Sequence, residues 1–160
     1  MSEAISNTSP LLYLHRAGIL DWLSELFVAT LVPTAVVNEL KDGRSRGYDV
    51  PSLNEYPWIR IVEPLASPVE WFALDLGPGE LAAISVALEN PAPLLLLNDA
   101  LARRLAQAAG LRVWGTLRVL LEAKHRGVAE SIGSLLPRLR KAGMWISEDV
   151  QRRVLMLAGE

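Results

Sequence analysis

The stretch that decides the fold is GPGELAAISVALE (residues 77–89), followed by PAPLLLLNDALARRLAQAAG (91–110) and LRVWGT (111–116). In order, these segments predict a helix, a short strand, a second helix and another short strand. The apolar run at 94–97 is short and does not alternate with polar residues. Such a run is typical of a strand buried on both faces, as in a parallel sheet.

Glu80 stands on the side of its helix that should face the core. The helical spacing of Leu81, Ile84, Ala87 and Leu88 predicts an apolar stripe, and Glu80 projects between Ile84 and Ala87. A charge is unusual in that place. The alternative is an acid near a helix N-terminus, where the helix dipole favours it. The stretch by itself leaves both interpretations open.

Asp99 follows the buried run at 94–97 directly. Open α/β sheets bind ligands at the carboxyl ends of their strands, so a functional role is one interpretation. The simpler one is that Asp99 caps the helix predicted at 100–109. Chemistry at this position therefore depends on partners elsewhere in the chain.

Composition indicates a single globular domain. The chain has 160 residues, of which 51% are hydrophobic, enough for a proper core. Cysteine is absent, which excludes disulfides and thiolate metal sites and favours a reducing compartment. No run of 18 apolar residues and no secretory signal pattern occurs, so we expect a cytoplasmic protein with no membrane partner.

Charge is distributed unevenly. Residues 1–99 carry 5 Lys/Arg against 13 Asp/Glu, whereas residues 100–160 carry 11 against 5. This asymmetry is what a cation site beside a polyanion-binding surface would show. Solvated helix faces explain it equally well.

The rest of the chain continues the alternation of strands and helices. Strands are predicted at 3–6, 27–32, 59–62 (an edge strand), 94–97 and 112–114, and helices at 11–16, 19–26, 33–41, 78–90, 100–109, 117–126, 132–142 and 147–157.

Between these elements, residues 42–54 should form a mobile loop with a short helical turn, and residues 68–74 a helical turn bearing Trp71. The alternation predicts a three-layer α/β/α domain with a mostly parallel central sheet. We expect one domain over 1–160, with a core at about 3–127 and a C-terminal helical extension at about 128–160.

Several chemistries are excluded by missing motifs. The sequence has no GxxxxGK[ST] phosphate loop and no GxGxxG fingerprint. Its two histidines, His15 and His125, lie within helical segments among basic neighbours, which argues against zinc hydrolysis and a Ser-His-Asp relay. Oxygen ligands are the remaining possibility.

Four oxygen-bearing residues lie near strand-to-helix transitions: Asn7, Glu39, Glu80 and Asp99. In a parallel sheet, Asn7 and Asp99 share the carboxyl edge. Carboxylates without nitrogen or sulfur ligands suit Mg²⁺ or Mn²⁺, and such a cation supports phosphodiester hydrolysis. Taken singly, Asn7 could be a turn former or N-cap and Glu39 a surface acid.

Five segments in order resemble the PIN-domain superfamily, most closely its VapC-like branch of predicted nucleic-acid-binding proteins. They are SNTSPL (6–11), PTAVVNEL (33–40), GPGELAAISVALE (77–89), LLLLNDALARRLA (94–106) and VWGTLRVLLEAK (113–124). The resemblance covers at least residues 5–145.

The resemblance implies a metal-dependent ribonuclease with an acidic pocket for Mg²⁺ or Mn²⁺. By motif, the four acidic positions fall on Asn7, Glu39, Glu80 and Asp99, and the last three would be catalytic. Polar supports would be Thr8 or Ser9, with Thr116 in a similar place; Arg103, Arg104 and Thr116 are the candidates for contact with RNA.

This sequence departs from the family pattern at two positions. Asn7 stands where most members have Asp, and Asn98 where a second acid often precedes the fourth position. An amide supplies oxygen without charge, so we expect weaker metal binding. The resemblance also implies an antitoxin partner and a homodimer.

Two other functions remain open. The first is a catalytically impaired PIN-like module that binds RNA or a protein. The second, a phosphoacceptor domain using Asp99, is disfavoured because no Lys follows in the expected region.

Overall fold

The computed structural model describes residues 1–66 and 75–160, and within them five strands form one parallel sheet. The strands are β1 (Ala4–Ser6), β2 (Thr30–Pro33), β3 (Ile59–Val62), β4 (Leu94–Leu96) and β5 (Val113–Trp114). The helices are α1 (Thr8–Arg16), α2 (Trp22–Leu26), α3 (Thr34–Ser45), α4 (Pro78–Glu89), α5 (Ala100–Ala108), α6 (Thr116–His125), α7 (Leu135–Lys141) and α8 (Glu148–Leu157), with a 3-10 turn at Leu53–Glu55. The predicted turn at 68–74 with Trp71 lies outside the described residues.

The strand order β3-β2-β1-β4-β5 places β1 at the centre and confirms β3 as an edge strand. From β1 the chain first adds strands on one side, at β2 and β3, and later on the other, at β4 and β5. The carboxyl ends of β1 and β4 therefore flank the point where the strand order reverses. In open α/β sheets that crevice is the usual ligand site.

Successive side chains of the buried strands enter two separate cores. In β1, Ala4 belongs to the core beneath α1, α3 and α6, whereas Ile5 packs with Ala83 and Ile84 of α4. The four leucines at 94–97 alternate in the same way between the two faces. This two-sided burial confirms the predicted three-layer α/β/α arrangement.

Helix α4 is buried around most of its surface, so the predicted stripe was only partly right. Ile84 and Ala87 are buried, but Leu88 is exposed and Leu81 half-buried. Small residues let α4 lie close to the sheet, and the buried set is Gly79, Ala82, Ala83, Ile84, Ser85, Val86 and Ala87. A single stripe describes a surface helix, not one enclosed on several sides.

Helix α3 runs four residues past its predicted end. Gly43 lies within the helix, and the chain turns at Gly47, which has a φ of 86°. The amide of Tyr48 donates to the Gly43 carbonyl, which closes the helix end. Glycine ends a helix where it adopts positive φ, which Gly47 does and Gly43 does not.

Other predicted starts were displaced by up to three residues, including that of the first helix, which begins at Thr8 instead of 11. The second helix begins at Trp22 instead of 19, and the second strand at Thr30 instead of 27, because Phe27 is the C-cap of α2. Helix α7 begins at Leu135 instead of 132, and Thr116 is already helical, with Gly115 at the N-cap.

The two C-terminal helices pack on the face that carries α1 and α6. Leu136 and Leu139 of α7 and Val154 of α8 join that core. Ser147 caps α8 as predicted, since its Oγ accepts from the Val150 amide at 3.1 Å. Within the described residues, no helix is both long and apolar enough to cross a membrane.

Candidate metal and nucleic-acid site

Asn7 leaves β1 at the crevice between β1 and β4. The backbone N–H of Asn7 donates to the Leu96 carbonyl at 3.2 Å, and this hydrogen bond holds Asn7 beside the neighbouring strand. The residue occupies the N-cap position of α1, but its side chain makes no capping hydrogen bond. Asn7 is 4% exposed, and its Oδ1 atom is buried with no hydrogen-bond partner in the described protein. Such an orphaned acceptor costs roughly 1–3 kcal/mol unless something binds it.

Glu39 projects from α3 into the same region and links three segments. Its Oε2 accepts a hydrogen bond from Thr8 Oγ1 at 2.8 Å, and its Oε1 accepts one from the Gly79 amide at 2.6 Å. Glu39 is therefore more than a surface acid. Thr8 is placed as the predicted polar support.

Gly79 provides the space in which these groups meet. A Cβ at this position would overlap Glu39 Oε1 and lie 3.0 Å from Asn7 Oδ1. No side chain can occupy 79 without moving Glu39 or Asn7. The absent side chain thus creates a small cradle lined by two oxygens.

Glu80 opens the same helix. Its Oε1 accepts a hydrogen bond from the Gly77 amide at 3.1 Å. Glu80 is thus an acid at a helix N-terminus, where the helix dipole favours a negative charge. Burial nevertheless raises the pKa of Glu80, the Gly77 hydrogen bond opposes that shift, and the negative charges of Asp99 and Glu39 add to it. The charges of three carboxylates therefore act on one another.

Asp99 is an N-cap, as its simpler interpretation predicted. Its Oδ2 accepts from the Ala102 amide at 2.9 Å. The capping role does not exclude a functional one, because the charge of Asp99 still reaches Glu80. We call Asn7, Glu39, Glu80 and Asp99 together the acidic pocket.

Asn98 and Thr116 support the rim of this pocket. Asn98 Oδ1 accepts from both the amide and the hydroxyl of Thr116, at 2.8 and 2.9 Å, which ties β4 to α6. Thr116 is completely buried. That placement fits a supporting role better than contact with RNA.

Arg103 and Arg104 lie one turn along α5 from Asp99 and line a groove of about 630 Å³. A Cβ at Gly115 would lie 2.7 Å from Arg103 Nη1, so Arg103 reaches across to the start of α6. We call this the basic groove; its lining is Ala100, Arg103, Arg104, Gln107, Val113, Trp114, Gly115 and Arg118.

The donor atoms of the acidic pocket are of the chemical type that a hard cation binds. The buried Asn7 Oδ1 lacks a partner, the Gly79 cradle holds it beside Glu39, and every donor is oxygen. In residues 1–66 and 75–160, however, no group of three His, Cys, Asp or Glu side chains is arranged to hold a metal ion. Both oxygens of Glu39 already accept hydrogen bonds from protein donors.

Sequence reasoning missed three residues here. Gly79 was given no role in the site, although a glycine just before an inward-facing Glu could have pointed to a close approach. Trp114 and Arg118 were assigned to a strand and a helix without a role. The structure places the Arg118 guanidinium 5.4 Å from the centroid of the Trp114 ring. The available signal was that the two residues lie four positions apart across a strand-to-helix turn.

A parallel α/β sheet with an acidic pocket at its switch point defines a class of protein, and comparison with known families identifies it. A family model described as a PIN domain matches residues 3–160, nearly the whole chain. The chain belongs to this family, whose members are commonly metal-dependent nucleases.

A solved structure of a PilT N-terminus domain protein from the hyperthermophilic archaeon Sulfolobus solfataricus P2 is similar in fold. It has a TM-score of 0.53 and 18% identity, and the match covers 76% of this chain and 92% of the other. At that identity the likeness supports the fold alone. Comparison with curated proteins gives no match.

Proposed function

We propose that the protein is a metal-dependent ribonuclease of the PIN type, with Asn7, Glu39, Glu80 and Asp99 as oxygen ligands of Mg²⁺ or Mn²⁺. The observation that carries this proposal is the buried, unpartnered Asn7 Oδ1, which faces Glu39 across the cradle left by Gly79. Family membership supports the reaction class.

Glu39 and Glu80 have different roles in the proposed reaction. When bound, a divalent cation supplies activation of water at neutral pH and neutralisation of charge on the phosphate. Thr8 and the Gly79 amide hold the Glu39 carboxylate in place. Glu80, whose pKa is raised chiefly by burial, is the residue to which we assign proton transfer.

The test is cleavage of a generic single-stranded RNA with and without Mn²⁺, compared with Asp99→Asn. Asn is itself a good N-cap, so this variant should keep α5 while removing the charge. We expect Mn²⁺-dependent cleavage by the natural sequence and its loss in the variant. Cleavage that persists unchanged in Asp99→Asn would be a contaminant's and would count against the proposal.

The alternative function is a PIN module that binds RNA without cleaving it. One observation favours it: Glu39 already satisfies both oxygens with protein hydrogen bonds, and Asn7 adds no charge to attract a cation. The two functions separate in a thermal-shift titration with Mn²⁺. A ligand that binds only the folded state raises the melting temperature. Mn²⁺ should therefore raise the melting temperature of a metal-binding nuclease and leave that of an impaired module unchanged.

The toxin role is a finer proposal that rests on the motif resemblance. It carries three further expectations: a cytoplasmic location, a homodimer and an antitoxin that masks the pocket. Growth arrest on induced expression, relieved by Asp99→Asn, is the direct check. Growth unaffected by the natural sequence would leave the nuclease without the toxin role.

A further inference from the structure

The basic groove lies along the free edge of β5, directly beside the acidic pocket. A second hollow adjoins it and shares Gln107, Val113 and Trp114 with it. That second hollow adds Arg112 and Arg126 to the same edge of the sheet. Among the described residues that line the two hollows, arginine is the only charged type, so the charge of the combined furrow is positive.

Three arginines of the groove have no hydrogen-bonding or ion-pair partner among the described residues. Arg103, Arg104 and Arg118 make neither an ion pair nor a side-chain hydrogen bond with any part of the chain that the structure describes. By contrast, Arg126 at the far end is paired with Glu122, and Arg112 donates to the Ala92 carbonyl. The free positive charge is therefore concentrated at the end nearest Asp99.

Trp114 forms the floor where the two hollows join. Phe27 backs its ring, with centroids 6.1 Å apart, and the Arg118 guanidinium lies 5.4 Å from the ring centroid. With Phe27 behind it and Arg118 above it, the indole supports a cation–π pair on which a base can stack. Proteins that hold single strands combine such aromatic platforms with a basic track.

We propose that this furrow binds single-stranded nucleic acid leading away from the acidic pocket, with Arg103 and Arg104 on phosphates and one base stacked on the Trp114–Arg118 pair. The inference extends the proposed function by giving its substrate a path and a stacking site. Duplex is disfavoured, because its bases are already stacked on each other.

The test uses a fluorescein-labelled single-stranded RNA of roughly twelve nucleotides, within the range of known single-strand sites. Anisotropy is measured in EDTA, so that neither metal nor cleavage enters. We expect Trp114→Leu to weaken binding about tenfold. Arg118→Gln should also weaken binding, and Arg103→Gln and Arg104→Gln should each weaken it and lower the slope of log K against log salt by about 0.7.

Two matched controls lie elsewhere on the surface. Trp145 is an 83% exposed tryptophan outside the groove, and Arg60 lies on β3, the opposite edge of the sheet. Trp145→Leu and Arg60→Gln should leave binding unchanged. Because Trp114 also packs on Phe27, Trp114→Phe, which keeps an aromatic ring, and the exposed Arg118→Gln serve if Trp114→Leu fails to fold.

Equal losses in the groove variants and the controls would overturn the inference, as would a duplex of the same sequence that binds as tightly as the single strand. Its failure is distinguishable from that of the nuclease. RNA binding in EDTA without cleavage in Mn²⁺ counts only against the nuclease, whereas cleavage that is insensitive to every groove variant counts only against the furrow.

Discussion

Two groups of carboxylate contacts in this molecule are built in opposite ways. At one, the Glu160 junction, the side chain of Glu160 accepts hydrogen bonds from the Ile132 and Gly133 amides, the Ser131 hydroxyl and the Lys124 ammonium. These donors, the Ile132 amide foremost, lower the pKa of Glu160 to about 2. The junction supplies four donors, about as many as one carboxylate can accept.

The acidic pocket shows the reverse balance. Asn7 Oδ1 has no donor, and burial together with the charges of Asp99 and Glu39 raises the pKa of Glu80. An arrangement that only stabilised the fold would resemble the Glu160 junction. The unpartnered Asn7 oxygen and the repulsion among the carboxylates are unfavourable in the isolated protein, as expected for the cation site proposed above.

The largest expected effect comes from filling the cradle. In Gly79→Ala the new Cβ would overlap Glu39 Oε1 and crowd Asn7 Oδ1. Overpacking of this kind costs about 1–3 kcal/mol, reduced by the higher helix propensity of alanine. Urea unfolding should show a lower midpoint with an unchanged slope, and any Mn²⁺ stabilisation should disappear.

Gly77→Ala is the matched control for Gly79→Ala. It lies two residues away, and its Cβ would meet only Glu80 Oε1, at the ordinary contact distance of 3.5 Å. Its unfolding midpoint should stay closer to that of the natural sequence. Equal stabilities for the two variants would contradict the cradle.

Asn7→Asp sharpens the contrast by adding a charge to the pocket. Without metal, a carboxylate buried beside Glu39 should lower the melting temperature at neutral pH. With the charge restored, Mn²⁺ should bind about tenfold more tightly, equivalent to about 1.4 kcal/mol. Calorimetric titration measures this. Asn38→Asp, at an exposed position next to Glu39 in the sequence, should change neither quantity.

Glu160→Gln tests the other side of the comparison. The folded-state pKa of Glu160 is depressed, so its stabilisation is present above the ordinary value of 4.5 and is lost as pH falls from there toward about 2. The variant should be less stable than the natural sequence at neutral pH, and the gap should close in acid. Thermal melts across this range provide the measurement, with exposed Glu130→Gln as control. A gap that persists unchanged at low pH would exclude the ionised carboxylate as its source.

The fold could be predicted from the sequence largely because its signals are local. The unalternating run at 94–97 implied two-sided burial, and Ser147 followed by two acids marked the start of α8. Boundaries failed where the signal was not local. Of Gly43 and Gly47, only Gly47 has a positive φ, whereas Gly43 lies within α3. The local sequence pattern does not distinguish these two glycines.

Motif resemblance gave the four residues of the acidic pocket as candidates, but it could not give their arrangement. That Glu39 bonds the Gly79 amide depends on how α3 meets α4, forty residues later in the chain. The contact of Arg118 with Trp114 likewise follows from the turn between β5 and α6. Sequence patterns report the period of an element, whereas these contacts depend on the packing between elements.

The smallest expected effect comes from Glu80→Gln, which removes charge from the pocket while keeping an oxygen for the Gly77 amide. Because the folded-state pKa of Glu80 is raised above 4.5, the folded protein holds this proton more tightly than the unfolded chain does. The corresponding stability is full at pH values below 4.5 and is lost as pH rises through the folded-state pKa. Gln mimics the protonated form, so the variant should melt about 1–3 °C higher at neutral pH, an effect kept small by solvent screening. The difference should vanish in acid, opposite in sign to Glu160→Gln. If Glu80→Gln instead lowers the melting temperature at neutral pH, the carboxylate stabilises the pocket as Glu160 stabilises its junction, and the contrast between the two regions fails.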